Sequence, residues 1–303
     1  MALSYWGWEG DRDDTGPALK PDPKDKNVMP YEMADYVESD TGLRVVTRMG
    51  GDLDLLKRSL AAGFPVLVEK GTYLRDLSGV VSWMGHYQVV TGYDEARGVF
   101  TVQDSYVSAD LEQTYEDMIR GWRSFNYTYQ IIYPPEKETE VIAVLGPDWD
   151  ETESYRRAAQ KASDEIYALS GTDQFFAWFN RGTSLVQLQD YAGAAAAYDE
   201  AFGTVYPNLA AEERPWRMLW YQTGPYFAYF HSGRYWDTLS LAETTLEAMQ
   251  SDRNLEESYF WRAKAKAALG DTGGAIEDYR TSLTFHEDFS PSLYELSLLG
   301  AGP

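Results

Sequence analysis

The chain has 303 residues, 44% hydrophobic and 24% charged, with 26 Lys+Arg against 48 Asp+Glu for a net charge of −22. That length exceeds one usual hydrophobic core, so two domains are expected, and the composition is globular rather than disordered. So negative a field repels phosphate backbones and anionic lipid, and no apolar run approaches the ~18 residues of a membrane helix; nucleic-acid binding and a membrane span are not expected. Cysteine is absent, which removes disulfides, thiolate metal sites and a cysteine nucleophile from this chain. With three histidines, His86, His231 and His286, a multi-histidine metal site is not expected. No Gly-rich phosphate loop occurs, so no nucleotide cofactor, nor any other, is expected.

The opening Met1, Leu3, Tyr5 and Trp6 read as the tail of an amphipathic helix that Gly7 ends. There is no charged leader, sustained apolar stretch or small-residue cleavage site, so this is not a signal peptide. A helix that starts within its own apolar stripe predicts further residues ahead of Met1. Glu9 to Asn27, with Lys20-Pro21-Asp22-Pro23, reads as a polar loop with room for one short helical turn. Asp11 to Asp22 loosely mimics a calcium loop, but Thr15 at position five and Asp22 at position twelve favour a solvated acidic turn. Pro30 opens a helix carrying Met33, Ala34 and Val37. Arg44 to Met49 is a strand, and Asp52 caps a helix with Leu53, Leu56 and Leu60 that Gly63 stops.

Pro65 to Glu69 is a buried strand, and Gly85 to Tyr93 alternates as another. The turn Asp94 to Gly98 leads into Val99 to Asp104, a hairpin with Gly98 placed for φ > 0. A helix over Leu111 to Trp122 and a strand over Tyr127 to Tyr133 complete an α+β domain of residues 1–135.

Residues 136–150 read as a linker, with Asp148, Asp150 and Glu151 as cap and first-turn charges. Over residues 151–303 strand signals vanish and a repeat emerges. Trp178, Gly182, Ala194, Tyr198, Ala201 and Pro207 form one unit; Tyr259, Ala263, Ala275, Tyr279 and Ser282 form another. A weaker copy starts at Trp220 and Gly224. Small residues let paired helices approach while aromatics fill the gaps. The pattern resembles the tetratricopeptide repeat, with spacing stretched beyond ~34 residues by longer turns such as Tyr206 to Pro215. That resemblance implies an all-α solenoid that binds polypeptide. Trp216, Trp220 and Tyr221 read as core ahead of a peptide groove, and His231 and His286 as residues near inter-helix turns.

The sharpest chemical signal is Gly85-His86-Tyr87-Gln88-Val89-Val90-Thr91-Gly92-Tyr93, followed by Gln103-Asp104. A histidine on one strand and an aspartate ending its hairpin partner bring side chains together, so the carboxylate can orient the imidazole for base work. The competing reading is a strand histidine bonded to a backbone carbonyl. The residues around His86 and Asp104 resemble the C39-like branch of the papain-like cysteine peptidases. There a Cys opens the first long helix, His begins a strand before Gly-Tyr-Asp, and Asp follows on the neighbouring strand. Met1 to Trp8 resembles the stretch after that family's Asn-x-Cys-Gly-Pro-Ala segment. The resemblance implies a papain-like domain over residues 1–135 with His86 and Asp104 as catalytic base and orienting acid, and a bacterial, extracytoplasmic setting. It also implies a nucleophile ahead of Met1, so this chain is expected to be inactive. The two expectations are a peptidase whose thiol segment lies upstream and a non-catalytic interaction scaffold.

Overall fold

The computed structural model describes residues 1–21, 27–75, 81–249 and 253–303. The expected Pro-rich loop and calcium-like turn extend through Asp22, outside the described residues. Helix α1 (Ala2–Tyr5) ends before Gly7, whose φ of +81° suits a residue without Cβ. Arg12 to Leu19 form α2 where a loop was expected. Helix α3 (Pro30–Asp40) has Pro30 in its first turn and buries Val37.

Strand β1 (Arg44–Arg48) precedes α4 (Leu53–Ala61), whose cap is Asp52, accepting from the Leu55 N–H at 2.6 Å. Strands β2 (Val66–Arg75), β3 (Val81–Asp94) and β4 (Val99–Gln103) follow. Leu111–Thr114, expected above to be helical, is strand β5; the helix α5 begins at Tyr115 and runs to Arg123. The reason is local: the Thr114 hydroxyl accepts from the Asp117 N–H at 3.1 Å, which fixes the helix start there. Strand β6 (Tyr129–Tyr133) completes a six-stranded antiparallel sheet ordered β1-β6-β2-β3-β4-β5.

One face of the sheet packs Val66, Val68, Val90 and Val102 against Leu55, Leu56, Met118 and Trp122. Burying each such side chain contributes roughly 1.5–3 kcal/mol. The other face, marked by Ile132, packs Val37, Leu43, Ala2, Leu3 and Trp6, and the Trp6 indole donates to the Ile132 carbonyl at 2.7 Å. Strand β2 outlasts its apolar run because its tail, Lys70-Gly71-Thr72, is polar yet stays paired with β3. Residues 136–150 are helical. Helix α6 (Glu138–Leu145) buries Val141 and Leu145 in the sheet's core, and Asp150 caps α7 (Glu151–Ala168) through the Glu153 N–H.

The chain forms two compact units, Met1–Asp11 with Met29–Pro215, and Arg12–Val28 with Trp216–Pro303. In the first, α7, α8 (Gly171–Gln187) and α9 (Tyr191–Asp199) are fastened to the sheet part. Asn180 donates to the Arg123 carbonyl at 2.7 Å, Asn126 to Ser184 at 2.8 Å, and the Arg123 guanidinium meets Asp173 at 2.8 Å. Tyr206–Asn208 and Ala211–Glu213 are short 3-10 turns within the expected long connection.

The second unit holds α10 (Met218–Tyr221), α11 (Gly224–His231), α12 (Tyr235–Ala248), α13 (Glu256–Ala268), α14 (Thr272–Leu283) and α15 (Ser290–Leu298). The helical hairpins align on the residue before their second helix: Asp190, Arg234 and Asp271. Eight residues earlier stand Gly182, Tyr226 and Ala263; eight later stand Tyr198, Ala242 and Tyr279. A Cβ on Gly182 would lie 2.7 Å from the Tyr198 ring, and Ala263 packs in one cluster with Tyr279. The middle hairpin exchanges the sizes, and its Tyr226 hydroxyl bonds Thr245 at 3.1 Å and Ser258 at 3.0 Å. The expected register on Trp220 and Gly224 is therefore off by two residues. Trp220 sits on α10, buried against Leu246, Met249, Leu255 and Tyr259.

Candidate active site

His86 lies in the middle of β3, opposite Lys70 of β2, and Asp104 follows the last residue of β4. Since the β3–β4 ladder pairs Val89 with Gln103, Asp104 falls beside Gln88 and His86. The imidazole Nε2 is 2.9 Å from Asp104 Oδ1. The same Oδ1 accepts from the backbone N–H groups of Tyr106 at 2.8 Å and Val107 at 3.0 Å, while Oδ2 accepts from the Gln88 amide. Three donors therefore meet on Oδ1 and one on Oδ2, four hydrogen bonds to one carboxylate. Burial would raise the Asp104 pKa, but the bonds from Gln88, Val107, His86 and Tyr106 outweigh it and hold the acid down at about 2.

An ionised carboxylate can only accept, so in the neutral ring Nε2 carries the proton and Nδ1 keeps its lone pair. Nδ1 has no hydrogen bond to any described residue. The strand histidine is thus bonded to a carboxylate rather than to a backbone carbonyl. The pair lines a pocket of about 220 Å³ with Lys70, Gln88, Tyr106 and Gln113. Lys70, Thr72, Gln113 and Asp117 also line a cavity of about 620 Å³ that continues past Trp83, Phe176 and Asp173. Neither is lined by any residue from Met1 to Trp8. Ala2 and Leu3 instead pack with Ile132, while Trp6 packs both there and against the core that holds Ile131, Val66 and Val90.

Residues 1–134 match the model of the Peptidase_C39 like family. A crystal structure from Bacillus anthracis described as that of a C39-like peptidase is 16% identical, with 44% of this chain and 84% of that one covered and a TM-score of 0.35. No curated protein matches the chain. Over residues 1–134 the chain is therefore similar to the C39-like family, and the remainder is helix-rich.

Sequence reasoning missed Gln88, Lys70 and Gln113 as members of the pocket. Gln88 was within reach, because a period of two puts it on the same face of β3 as His86. Lys70 lay past the apolar run, and Gln113 lay in a segment read as helix. His231 is the last residue of α11, beside Phe227 and Trp261. His286 follows α14 with Nδ1 3.6 Å from Glu256. Among the described residues no cluster of three or more His, Asp or Glu is arranged to hold a metal, and no helix is long and apolar enough to cross a membrane.

Proposed function

We propose that the C39-like domain is a cysteine-peptidase-type domain acting on polypeptide, with His86 as base and Asp104 as the group that orients it. The observation that supports this most is the Asp104 carboxylate, ionised and filled by four donors of which His86 Nε2 is one. With that nitrogen committed, Nδ1 is the atom that would take a thiol proton and later return it to the leaving amine. The sequence contains no cysteine, so this chain by itself should show only background hydrolysis of casein and peptide libraries. Turnover that His86→Ala abolishes would refute that.

The helical residues 151–303 read as a tetratricopeptide-like module that holds extended polypeptide. The small-against-aromatic pairs Gly182–Tyr198 and Ala263–Tyr279 support that reading. A scaffold that binds without cleaving is the alternative, favoured by the missing thiol. The deciding experiment fuses about ten residues ahead of Met1, ~15 Å of helix, with Cys before Gly-Pro-Ala. Rapid alkylation by iodoacetamide at neutral pH, slowed strongly by His86→Ala, supports the peptidase reading. A thiol no more reactive than free cysteine, with or without His86, gives the scaffold reading the better claim.

A further inference from the structure

Lys70 stands directly across the ladder from His86 and is 8% exposed. Its ammonium has no hydrogen bond or ion pair to any described residue. Neither nearby carboxylate is bonded to it. Asp104 is held by four other donors, and Asp117 accepts from the Thr114 hydroxyl at 2.8 Å and lies 3.9 Å from the Arg120 guanidinium. Two carbonyl oxygens in the same pocket are open as well: Gln88 Oε1 and Gln113 Oε1 are buried without a donor, in side chains 3% and 8% exposed. Gln88 cannot remedy this by flipping, because its amide nitrogen is held by Asp104.

Helix α5 passes so close that a Cβ on Gly121 would lie 2.8 Å from Lys70 Cε. The lysine stem is therefore confined. An ammonium at a pocket wall without a bonded partner and buried carbonyls without donors are unfavourable states that a fold rarely keeps unless something fills them. Here one positive donor and two acceptors belong to residues that line one pocket, and Lys70 and Gln113 also border the larger cavity beside it.

We propose that this pocket receives a carboxylate-bearing polypeptide, its carboxylate on Lys70 Nζ and its flanking backbone N–H groups on Gln88 Oε1 and Gln113 Oε1. The proposal rests on the His86 pocket being a polypeptide site but needs no thiol. With a net charge of −22, the whole molecule repels such a ligand, so recognition must be local. Burial lowers the Lys70 pKa while the fields of Asp104 and Asp117 raise it. A bound carboxylate would favour the charged form further.

The carboxylate could be a chain terminus or an acidic side chain, and four short peptides separate these. One ends in a free carboxylate, the second is its amide, and the third and fourth are amides with a central Glu or Gln. Titration calorimetry on the full chain should show one charged peptide binding about tenfold tighter than its neutral counterpart, the scale of one charge-assisted contact. Lys70→Met and Lys70→Gln should each erase that preference. Should either variant fail to fold, the other carries the test. Equal binding of charged and neutral peptides, no binding, or a preference surviving the Lys70 substitutions would overturn the proposal. A lasting preference alongside an unreactive restored thiol would remove the peptidase reading and leave the carboxylate site standing.

Discussion

Two buried charges, one in the helices and one in the sheet, are treated in opposite ways. Asp278 of α14 accepts both forks of Arg262, at 2.8 and 2.6 Å, and lies 2.7 Å from Lys266. Lys70 of β2, equally buried, has no such partner. Sheet geometry alone does not explain this, because Asp104 in the same sheet is filled by four donors. A charge whose partners are complete holds helices together; one whose partners are missing, beside open carbonyls in a cavity, faces something the chain does not itself supply.

The largest effect expected from this contrast is on stability. Asp278→Ala leaves Arg262 and Lys266 facing each other across a buried gap and should cost about 3–5 kcal/mol in denaturant unfolding. Lys70→Met removes an unbonded charge and should be neutral or stabilising. Equal losses for the two would break the comparison. Packing gives the next effect. A Cβ on Gly182 meets the Tyr198 ring at 2.7 Å, whereas one on Gly203 meets nothing within 4 Å. Gly182→Ala should therefore cost about 1–3 kcal/mol and Gly203→Ala close to nothing. Similar values for both would show that the hairpin can relax around its aromatic.

Acid should find the filled carboxylate. An aspartate normally titrating at 3.8 is held at about 2 in the fold. The folded state therefore prefers the ionised form, and the resulting stability is present above pH ~4 and lost as pH falls towards ~2. Unfolding curves from pH 5 to 2 should lose about 2 kcal/mol from this group. Asp104→Asn should remove that part of the slope. An unchanged slope in the variant would mean that the four donors do not stabilise the charge.

Much of the sheet could be read in the residues, because alternation of apolar and polar side chains is a local signal. Strands β1, β3 and β4, the Asp52 cap and the turn at Gly98 all follow from neighbours in sequence, and so does the meeting of His86 with Asp104 across one hairpin. The pocket's other walls were hidden for a physical reason. Lys70 belongs to a strand tail whose ladder bonds, not its hydrophobicity, keep it extended, and Gln113 arrives from a strand paired with β4. The middle helical hairpin concealed its register differently. Exchanging a small residue for Tyr226 and an aromatic for Ala242 keeps the two sizes and erases the expected order. The helices of residues 136–150 were masked by charge, since only Val141 and Leu145 are fully buried there, with Val144 and Trp149 partly so.

The smallest effect tests the misread boundary between β5 and α5. Leu111, Glu112, Gln113 and Thr114 pair with Val102, Thr101, Phe100 and Val99, so Thr114 ends a strand and begins a helix at once. Its hydroxyl accepts from the Asp117 N–H at 3.1 Å and donates to the Asp117 carboxylate at 2.8 Å. Thr114→Ala loses the cap and should cost about 1 kcal/mol, while Thr114→Ser, which keeps the hydroxyl, should cost less. The substitution also frees the Asp117 carboxylate, and that reaches back to the opening contrast. If a freed Asp117 swings to Lys70, the peptide carboxylate preference should weaken in Thr114→Ala and persist in Thr114→Ser. Calorimetry with the charged and neutral peptides reads this directly, and an equal preference in both variants would show that Asp117 stays clear of Lys70 even when uncapped.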